Sequence, residues 1–280
     1  MRPSNLITAE ELLAQLADPN LRVVDARFEL MEPAYRAEAY AVGHVLGAVY
    51  LDLDKDLSSA PARHGGRHPL PDMSEFAAKL AERGIGREHA VVVHDQTGAM
   101  YAARAWWLLK YAGHQNVRFL DGGLAAYLEA GGSLTAELPE HPPATFELDL
   151  QHEMVVDAEQ VRRAGADPAT VIMDARAGGR YRGEVEPLDP KAGHIPGAIN
   201  RFYQDALEDG RFRRAEELAE FVAPAHEAEQ GIAYCGSGVS GAHLVLALEE
   251  AGVRGAKLYA GAWSDWSSYD HLPVATGEPE

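Results

Sequence analysis

Short apolar runs alternate with longer amphipathic stretches along the whole chain. The runs are four or five residues long, the length of a buried strand. The stretches carry apolar residues at helical spacing, and two of them end at Gly113 and Gly252. The predicted strands are 22–26, 90–94, 117–120, 170–173, 231–234 and 256–259. The predicted helices are 100–112, 124–130, 157–163 and 239–251. A capping box that starts at Thr8 predicts one more helix near the N-terminus. This alternation predicts an α/β fold with parallel sheets covered by helices on both faces.

The second half of the chain repeats the order of the first. Val23-Val24-Asp25-Ala26-Arg27 recurs as Ile172-Met173-Asp174-Ala175-Arg176, and Gly43 to Ala48 recurs as Gly193 to Ala198. The spacing of about 140 to 150 residues is that of a duplicated domain, because solenoid repeats are much shorter. Between the copies, Pro139, Pro142 and Pro143 predict an extended linker. We therefore expect domains at 1–135 and 156–280, joined by a linker at 136–155.

Composition narrows the possible partners and locations. The chain has 280 residues, of which 46% are hydrophobic and 24% charged, and its net charge is −18. Such an acidic protein is a poor ligand for nucleic acid or an anionic membrane surface. The N-terminal residues lack an apolar signal-peptide core, and no apolar run is long enough for a membrane helix. A single cysteine excludes internal disulfides and multi-cysteine metal sites. We expect a cytoplasmic protein without nucleic acid or membrane partners.

That cysteine stands where a predicted strand turns into a helix. Cys235-Gly236-Ser237-Gly238-Val239-Ser240-Gly241 follows the apolar run 231–234 directly. In such a loop, successive backbone N–H groups and the helix N-terminus face one point, which stabilises a thiolate or a persulfide anion. A lone cysteine is more often a small buried hydrophobic residue, so the loop context carries the catalytic interpretation.

The cysteine loop resembles that of the rhodanese superfamily. It is most similar to the Cys-Gly-Ser-Gly-Val-Thr form of mercaptopyruvate sulfurtransferases, with Ser240 in place of threonine. Gly193 to Ala198, with the preceding Asp174-Ala175-Arg176, and Gly261 to Trp266 resemble two other signatures of the family. The resemblance implies two tandem rhodanese-like domains, each a parallel sheet with helices on both faces. It also implies that Gly236, Gly238, Val239 and Ser240 line the substrate site.

The resemblance implies that only the second domain is catalytic. Asp95 stands in the first copy where Cys235 stands in the second, and a carboxylate cannot carry sulfane sulfur. The resemblance thus implies that the first domain has no catalytic activity of its own. Its expected role is to cover the active site of the second domain and to contribute residues to that site.

The resemblance also implies that three further residues take part in catalysis beside the cysteine. By position, Asp54, His68 and Ser237 match the Asp-His-Ser set of mercaptopyruvate enzymes. In this set the histidine relays a proton, the aspartate fixes its tautomer and the serine donates to sulfur or substrate. Without the resemblance, His68 is a solvated loop histidine. His64 and His68 as a metal pair are disfavoured, because the glycines and proline around them oppose a helix.

Arginines in the second copy are candidates for holding an anionic donor. Arg180 matches the family arginine that clamps the donor, and its planar fork suits carboxylate or thiosulfate oxygens. Arg176 matches a neighbouring family arginine, with a structural ion pair as the alternative role. Mercaptopyruvate enzymes carry a second clamp arginine, which is missing here from the run Glu184 to Lys191, and Lys191 or Arg182 is the candidate substitute. Trp263 and Trp266 either wall the pocket or, the favoured role, pack in the core.

The predicted function is transfer of sulfane sulfur from 3-mercaptopyruvate or thiosulfate to a thiol or cyanide acceptor through a Cys235 persulfide. The resemblance implies no metal or organic cofactor, and the thiol acceptor would be thioredoxin or glutathione. One alternative is an enzyme specific for thiosulfate, and another is a non-enzymatic sulfur carrier or binding module. A cysteine phosphatase is disfavoured, because Gly241 stands where such enzymes need an arginine.

Overall fold

A computed structural model describes residues 4–29, 35–96 and 100–278. Residues 1–3, 30–34, 97–99 and 279–280 of the expected domains lie outside this description. The chain forms two compact units. The first comprises Met1–Ser59, Pro71–Gln151 and Asp209–Arg211, and the second comprises Ala60–Leu70, His152–Glu208 and Phe212–Glu280. The segment Ala60–Leu70 therefore belongs to the second unit, although it comes from the first repeat of the sequence.

The first unit is built on a five-stranded parallel sheet. Its strands, in spatial order, are Leu6–Ile7, Val117–Leu120, Ala90–His94, Leu21–Asp25 and Ala48–Tyr50. Every residue of Leu21–Asp25 is buried, as expected for a strand covered on both faces. The helices are Ala9–Gln15, Tyr35–Val42, Met73–Glu82, Met100–Tyr111 and Gly123–Glu129. A short antiparallel pair joins His44–Val45 to Leu134–Thr135.

The second unit repeats this sheet in the same spatial order. Its parallel strands are Val155–Val156, Lys257–Tyr259, Gln230–Tyr234, Thr170–Asp174 and Ala198–Asn200. The α-helices are Ala158–Ala164, Gly178–Tyr181, Ala215–Phe221, Ala223–Glu227, Ser240–Glu250 and Ala262–Trp266. Two 3₁₀ helices span His152–Met154 and Tyr203–Ala206. Elsewhere in the chain, the strands Leu207–Glu208 and Arg211–Phe212 form a separate two-stranded sheet. The shared strand order confirms the predicted α/β duplication.

Most of the predicted elements are present within one or two residues. Thr8 Oγ1 accepts from Glu11 N at 3.2 Å and Glu11 Oε2 accepts from Thr8 N at 3.0 Å, which confirms the capping box. The strand Ala90–His94 has the predicted bounds. The sequence patterns missed most strands of two or three residues, such as Ala48–Tyr50, because so short a run carries no periodicity.

The proline-rich stretch between the repeats has no regular structure over residues 136–151, and it is held against the first unit. Its backbone N–H groups at Ala144, Asp149 and Gln151 donate to carbonyls at the ends of two helices, Ala81 O, Ala112 O and Tyr111 O. Hydrogen bonds therefore anchor this stretch to the first unit.

The core of the second unit is rich in aromatic side chains. Trp263 and Trp266 are 0% and 1% exposed and pack with Tyr181, Tyr234 and Tyr259. The core role favoured from the sequence is therefore confirmed for both tryptophans.

Within the described residues, no helix combines the length and apolar character needed to cross a membrane.

Candidate active site

The lone cysteine lies at the carboxyl end of the central strand of the second unit. Cys235 directly follows the strand Gln230–Tyr234, and its side chain is almost fully buried. Gly238 N donates to Cys235 Sγ at 3.1 Å, and the helix Ser240–Glu250 begins two residues later. Val239 is the residue before this helix and Ser240 is its first residue, so the loop places a backbone donor and a helix N-terminus near the sulfur.

Gly238 cannot be replaced without moving the backbone, and Gly241 is closely packed. Gly238 has a φ of +79°, and a Cβ on it would lie 2.2 Å from Ala260 O. A Cβ on Gly241 would lie 2.9 Å from Leu258 Cδ1, so a side chain at this position requires the Leu258 side chain to shift. Phosphatase chemistry would require an arginine at position 241, where this chain has a closely packed glycine.

A short helix donates backbone hydrogen bonds to the cysteine loop. In Ala262–Trp266, Trp263 N donates to Cys235 O and Ser264 N donates to Gly236 O, both at 2.9 Å. Ala262 begins this helix with a φ of +55°, a left-handed conformation that is strained for a residue with a Cβ. These two hydrogen bonds fix the path of the backbone around the sulfur.

The first unit has the same scaffold with a carboxylate in place of the thiol. Leu124 N donates to Asp95 O at 2.9 Å, and Gly123 adopts the left-handed conformation that Ala262 adopts in the second unit. The buried Asp95 carboxylate accepts from Tyr101 N and Ala102 N, both at 3.1 Å. The backbone N–H groups at the start of the helix Met100–Tyr111 therefore have the Asp95 side chain as their acceptor. This arrangement supports the prediction that the first domain is catalytically silent.

A histidine from the segment Ala60–Leu70 reaches the cysteine loop within the second unit. His68 Nδ1 and Ser237 Oγ form a hydrogen bond of 2.8 Å, and Ser237 is buried. The structure thus brings together two of the three residues that the resemblance assigned as helpers. Asp54 lies in the first unit, where its N–H donates to Asp52 Oδ1 at 2.9 Å, and its role in orienting His68 stays a prediction.

The segment is anchored by side chains of the helix Ala262–Trp266 and the residues after it. The contacts are Gly65 N to Asp265 Oδ1 at 2.7 Å, Arg67 N to Ser264 Oγ at 3.0 Å, and His64 Nδ1 to Ser268 Oγ at 2.7 Å. His64 also stacks on Tyr269, with ring centroids 4.1 Å apart. One short helix therefore positions both the backbone of the cysteine loop and the segment that carries His68.

Two guanidinium groups border the loop one residue beyond the cysteine. A Cβ on Gly236 would lie 3.0 Å from Arg67 Nη2 and 3.2 Å from Arg180 Nη1. Arg180 was singled out from the sequence, but Arg67 was not. Its position beside His68 in a Gly-Gly-Arg-His-Pro run was the available signal, because any constraint that places His68 also places its neighbour.

Buried carboxylates hold these arginines. Arg180 Nη2 lies 2.7 Å from Glu186 Oε1 and 3.1 Å from Asp189 Oδ2, and Arg67 pairs with the other oxygen of Asp189. Burial raises the pKa of Asp189 despite its two guanidinium partners. Burial also opposes ionisation of Glu186, but hydrogen bonds from Arg180 and Leu188 N outweigh it and lower its pKa.

Arg176 is engaged differently from Arg180. Its guanidinium is 1% exposed, pairs with Asp174 and Glu186, and donates to Gly193 O at 2.7 Å. In the first unit Arg27 makes the same contacts with Asp25 and Gly43 O. Because a copy without a cysteine keeps this arrangement, the contacts favour the structural role for Arg176.

Comparisons with known proteins agree with this geometry. The rhodanese-like domain family matches residues 8–130 and 157–269. The chain belongs to this family. It is 43% identical to a Pseudomonas aeruginosa protein named "Probable 3-mercaptopyruvate sulfurtransferase", over 99% of this chain and all of the relative. It is 30% identical to a Corynebacterium glutamicum thiosulfate sulfurtransferase, over 99% of this chain and 92% of the relative.

Solved rhodanese structures confirm the fold. The crystal structure of the Escherichia coli 3-mercaptopyruvate sulfurtransferase SseA matches with a TM-score of 0.81 and 32% identity. The match covers 94% of this chain and all of the other. A fold of two tandem rhodanese-like domains, expected from the sequence, is therefore established.

The two candidate substitutes for the second clamp arginine of mercaptopyruvate enzymes are engaged in other contacts. Arg182 pairs with Glu184 and Glu278 at the surface, and Lys191 Nζ donates to Tyr269 O at 2.8 Å. Among the residues that the structure describes, no group of three or more His, Cys, Asp and Glu side chains could hold a metal ion.

Proposed function

We propose that the protein is a sulfurtransferase that moves sulfane sulfur from 3-mercaptopyruvate, or from thiosulfate, to a thiol or cyanide acceptor. The single observation that carries this function is the placement of Cys235 Sγ. It accepts from Gly238 N at a helix N-terminus, on the loop whose Ser237 is hydrogen-bonded to His68 and whose Gly236 lies beside the Arg180 guanidinium. A sulfur anion in this position is stabilised by donors that need no rearrangement.

The first step forms a persulfide on Cys235. The thiolate attacks the sulfur of 3-mercaptopyruvate, an S–S bond forms and the donor's C–S bond breaks. The electron pair of the C–S bond leaves as the enolate of pyruvate, which takes up one proton at carbon. The Ser237–His68 hydrogen bond offers a relay for that proton, and Arg180 supplies a cation for the donor's carboxylate. With thiosulfate, the same attack releases sulfite and needs no proton.

The second step returns the cysteine. A thiolate or cyanide attacks the outer sulfur of the persulfide, and the Cys235 thiolate leaves as the S–S bond breaks. Atoms and charge balance in both steps without a metal or organic cofactor. Thioredoxin and glutathione are the proposed thiol acceptors, and a reducing compartment such as the cytoplasm suits an enzyme that depends on a free thiol.

The hydrogen-bonded pair of His68 and Ser237 favours 3-mercaptopyruvate over thiosulfate as the donor. Only a donor that leaves as an enolate needs proton delivery. Thiosulfate stays the second candidate, because relatives with either activity in their names match this chain over nearly its whole length. Arg180 suits the anionic oxygens of both.

The experiment is intact mass spectrometry after incubation with each donor, followed by steady-state rates. We expect a gain of one sulfur atom, its loss on addition of a thiol, and no gain in Cys235→Ser. Turnover that persists in Cys235→Ser would refute the mechanism. A stable persulfide that no thiol or cyanide removes would favour a sulfur carrier.

A further inference from the structure

The two guanidinium groups beside Gly236 come from separate parts of the chain. Arg180 lies in the helix Gly178–Tyr181, and Arg67 lies in the segment Ala60–Leu70. Both have nitrogens within 3.2 Å of the point where a Cβ on Gly236 would stand. Their side chains are 20% and 30% exposed, so solvent and a small ligand can reach them.

One buried carboxylate joins the two arginines. Asp189 Oδ2 lies 3.1 Å from Arg180 Nη2, and Asp189 Oδ1 accepts from Arg67 Nη1. The Asp189 side chain is 2% exposed. A carboxylate flanked by two guanidinium forks has the arrangement that a bound anionic substrate would have.

The charges of this cluster cancel in the unliganded protein. Three guanidinium groups pair with three carboxylates. Four of the ion pairs measure 2.6 to 3.2 Å, and the fifth joins Arg67 to Asp189. The residues are Arg67, Arg176, Arg180, Asp174, Glu186 and Asp189. An anionic donor can therefore gain full pairing only by replacing one of the carboxylates.

Asp189 is the carboxylate best suited to leave. Glu186 is fixed by backbone donors, Leu188 N at 3.1 Å and Asp189 N at 3.2 Å, in addition to its arginine partners. The Asp189 carboxylate accepts from the two clamp arginines. Burial raises the pKa of Asp189, which means that keeping it ionised in place is costly.

We propose that Arg67 and Arg180 form the donor's anion clamp, and that Asp189 occupies this clamp until the donor's carboxylate or sulfonate oxygens replace it. Arg67 thereby supplies the second guanidinium that the run Glu184 to Lys191 lacks. The carboxylate of the chain is an internal competitor that sets the apparent affinity for anionic donors. This inference rests on the proposed function, because it concerns the same site.

The clamp has a measurable signature in the Michaelis constant. The apparent affinity is the intrinsic affinity multiplied by the fraction of molecules whose binding site is free, so removing the internal competitor should raise the apparent affinity. We expect Asp189→Asn to lower the KM for 3-mercaptopyruvate by roughly threefold to tenfold. We expect Arg67→Gln to raise it, and to lower kcat/KM roughly 10- to 100-fold, because the donor loses a charged partner.

A double variant separates the clamp from a merely structural ion pair. If Arg67 served only to neutralise Asp189, Arg67→Gln combined with Asp189→Asn would regain the wild-type KM. The clamp predicts that the double variant recovers only part of the loss and stays above the wild-type KM, because the competitor is gone but the donor still lacks the Arg67 guanidinium. Arg182→Gln is the matched control, since Arg182 pairs with Glu184 and Glu278, and its KM should stay within about twofold of wild type.

Calorimetric binding of pyruvate gives a second readout that needs no turnover. Pyruvate carries the donor's carboxylate, so Arg67→Gln should weaken its binding and Asp189→Asn should tighten it. Flat KM and pyruvate affinity across the variants would overturn the clamp while leaving the sulfurtransferase intact. The expected binding pattern in a protein that forms no persulfide would uphold the clamp and refute the proposed function instead.

Discussion

Replacing Gly238 by alanine tests whether the backbone of the cysteine loop holds the sulfur. Gly238 combines a φ of +79° with the donor N–H to Cys235 Sγ. A Cβ there would stand 2.2 Å from Ala260 O, which is backbone and cannot rotate away. Alanine must therefore move the loop or the strand that ends beside it, and either movement displaces the N–H from the sulfur.

The free energy involved follows from two separate costs. A left-handed conformation costs a residue with a Cβ about 1–2 kcal/mol. Relieving an overlap with rigid surroundings costs about 1–3 kcal/mol. We therefore expect Gly238→Ala to lower the free energy of unfolding by about 2–5 kcal/mol, a large part of the ~5–15 kcal/mol that a folded domain has.

Gly236→Ala is the matched control, because it adds the same methyl group two residues away. The nearest atoms to this methyl are side-chain nitrogens of Arg67 and Arg180, 3.0 Å and 3.2 Å away, which can shift. We expect a stability change of at most about 1 kcal/mol but a clear loss of donor affinity. The assays are urea unfolding and persulfide formation by intact mass. A Gly238→Ala protein with wild-type stability and persulfide formation would refute the reasoning.

Three further predictions concern other parts of the second unit. Ala262→Gly relieves about 1–2 kcal/mol of strain at a φ of +55° but loses a buried methyl and makes the unfolded chain more flexible, so the free energy of unfolding in urea should change by less than about 1 kcal/mol. A loss of about 1.5 kcal/mol or more would show that Ala262 is unstrained. His68→Ala should lower turnover of 3-mercaptopyruvate about 10²-fold and that of thiosulfate much less, and equal losses would contradict the proton relay through Ser237. Burial lowers the pKa of His243 to about 3, so the unfolded chain binds one more proton between pH ~3 and ~6.5 and stability falls as the pH drops through that range. His243→Leu should flatten this dependence by up to about 1.4 kcal/mol per pH unit in urea titrations, and an unchanged slope would place the titration elsewhere.

Much of the fold could be predicted because its signals are local. The capping box at Thr8, the apolar run Ala90–His94 and the glycine-ended helices each depend on neighbouring residues. The duplication strengthened these predictions, since each element was observed twice. Two-residue strands such as Val155–Val156 could not be predicted, because they form only by pairing with a strand far along the chain.

The candidate site was only partly predictable. Cys235 and the loop around it form one continuous stretch, so their chemistry could be inferred from order alone. Arg67 and Asp189 are 122 positions apart, and their ion pair exists because helix Ala262–Trp266 anchors the segment Ala60–Leu70 in the second unit. No spacing rule links residues that meet in this way.

The sequence by itself determined the α/β duplication, the position of the single thiol at a strand-to-helix loop, and the carboxylate that replaces the thiol in the first copy. These features follow from periodicity and from residue identity at matching positions. Only the tertiary structure decided which cations face the loop and which carboxylates occupy them. The physical reason is that ion pairing depends on distance in space, and the chain brings Arg67, Arg180 and Asp189 together only when it packs.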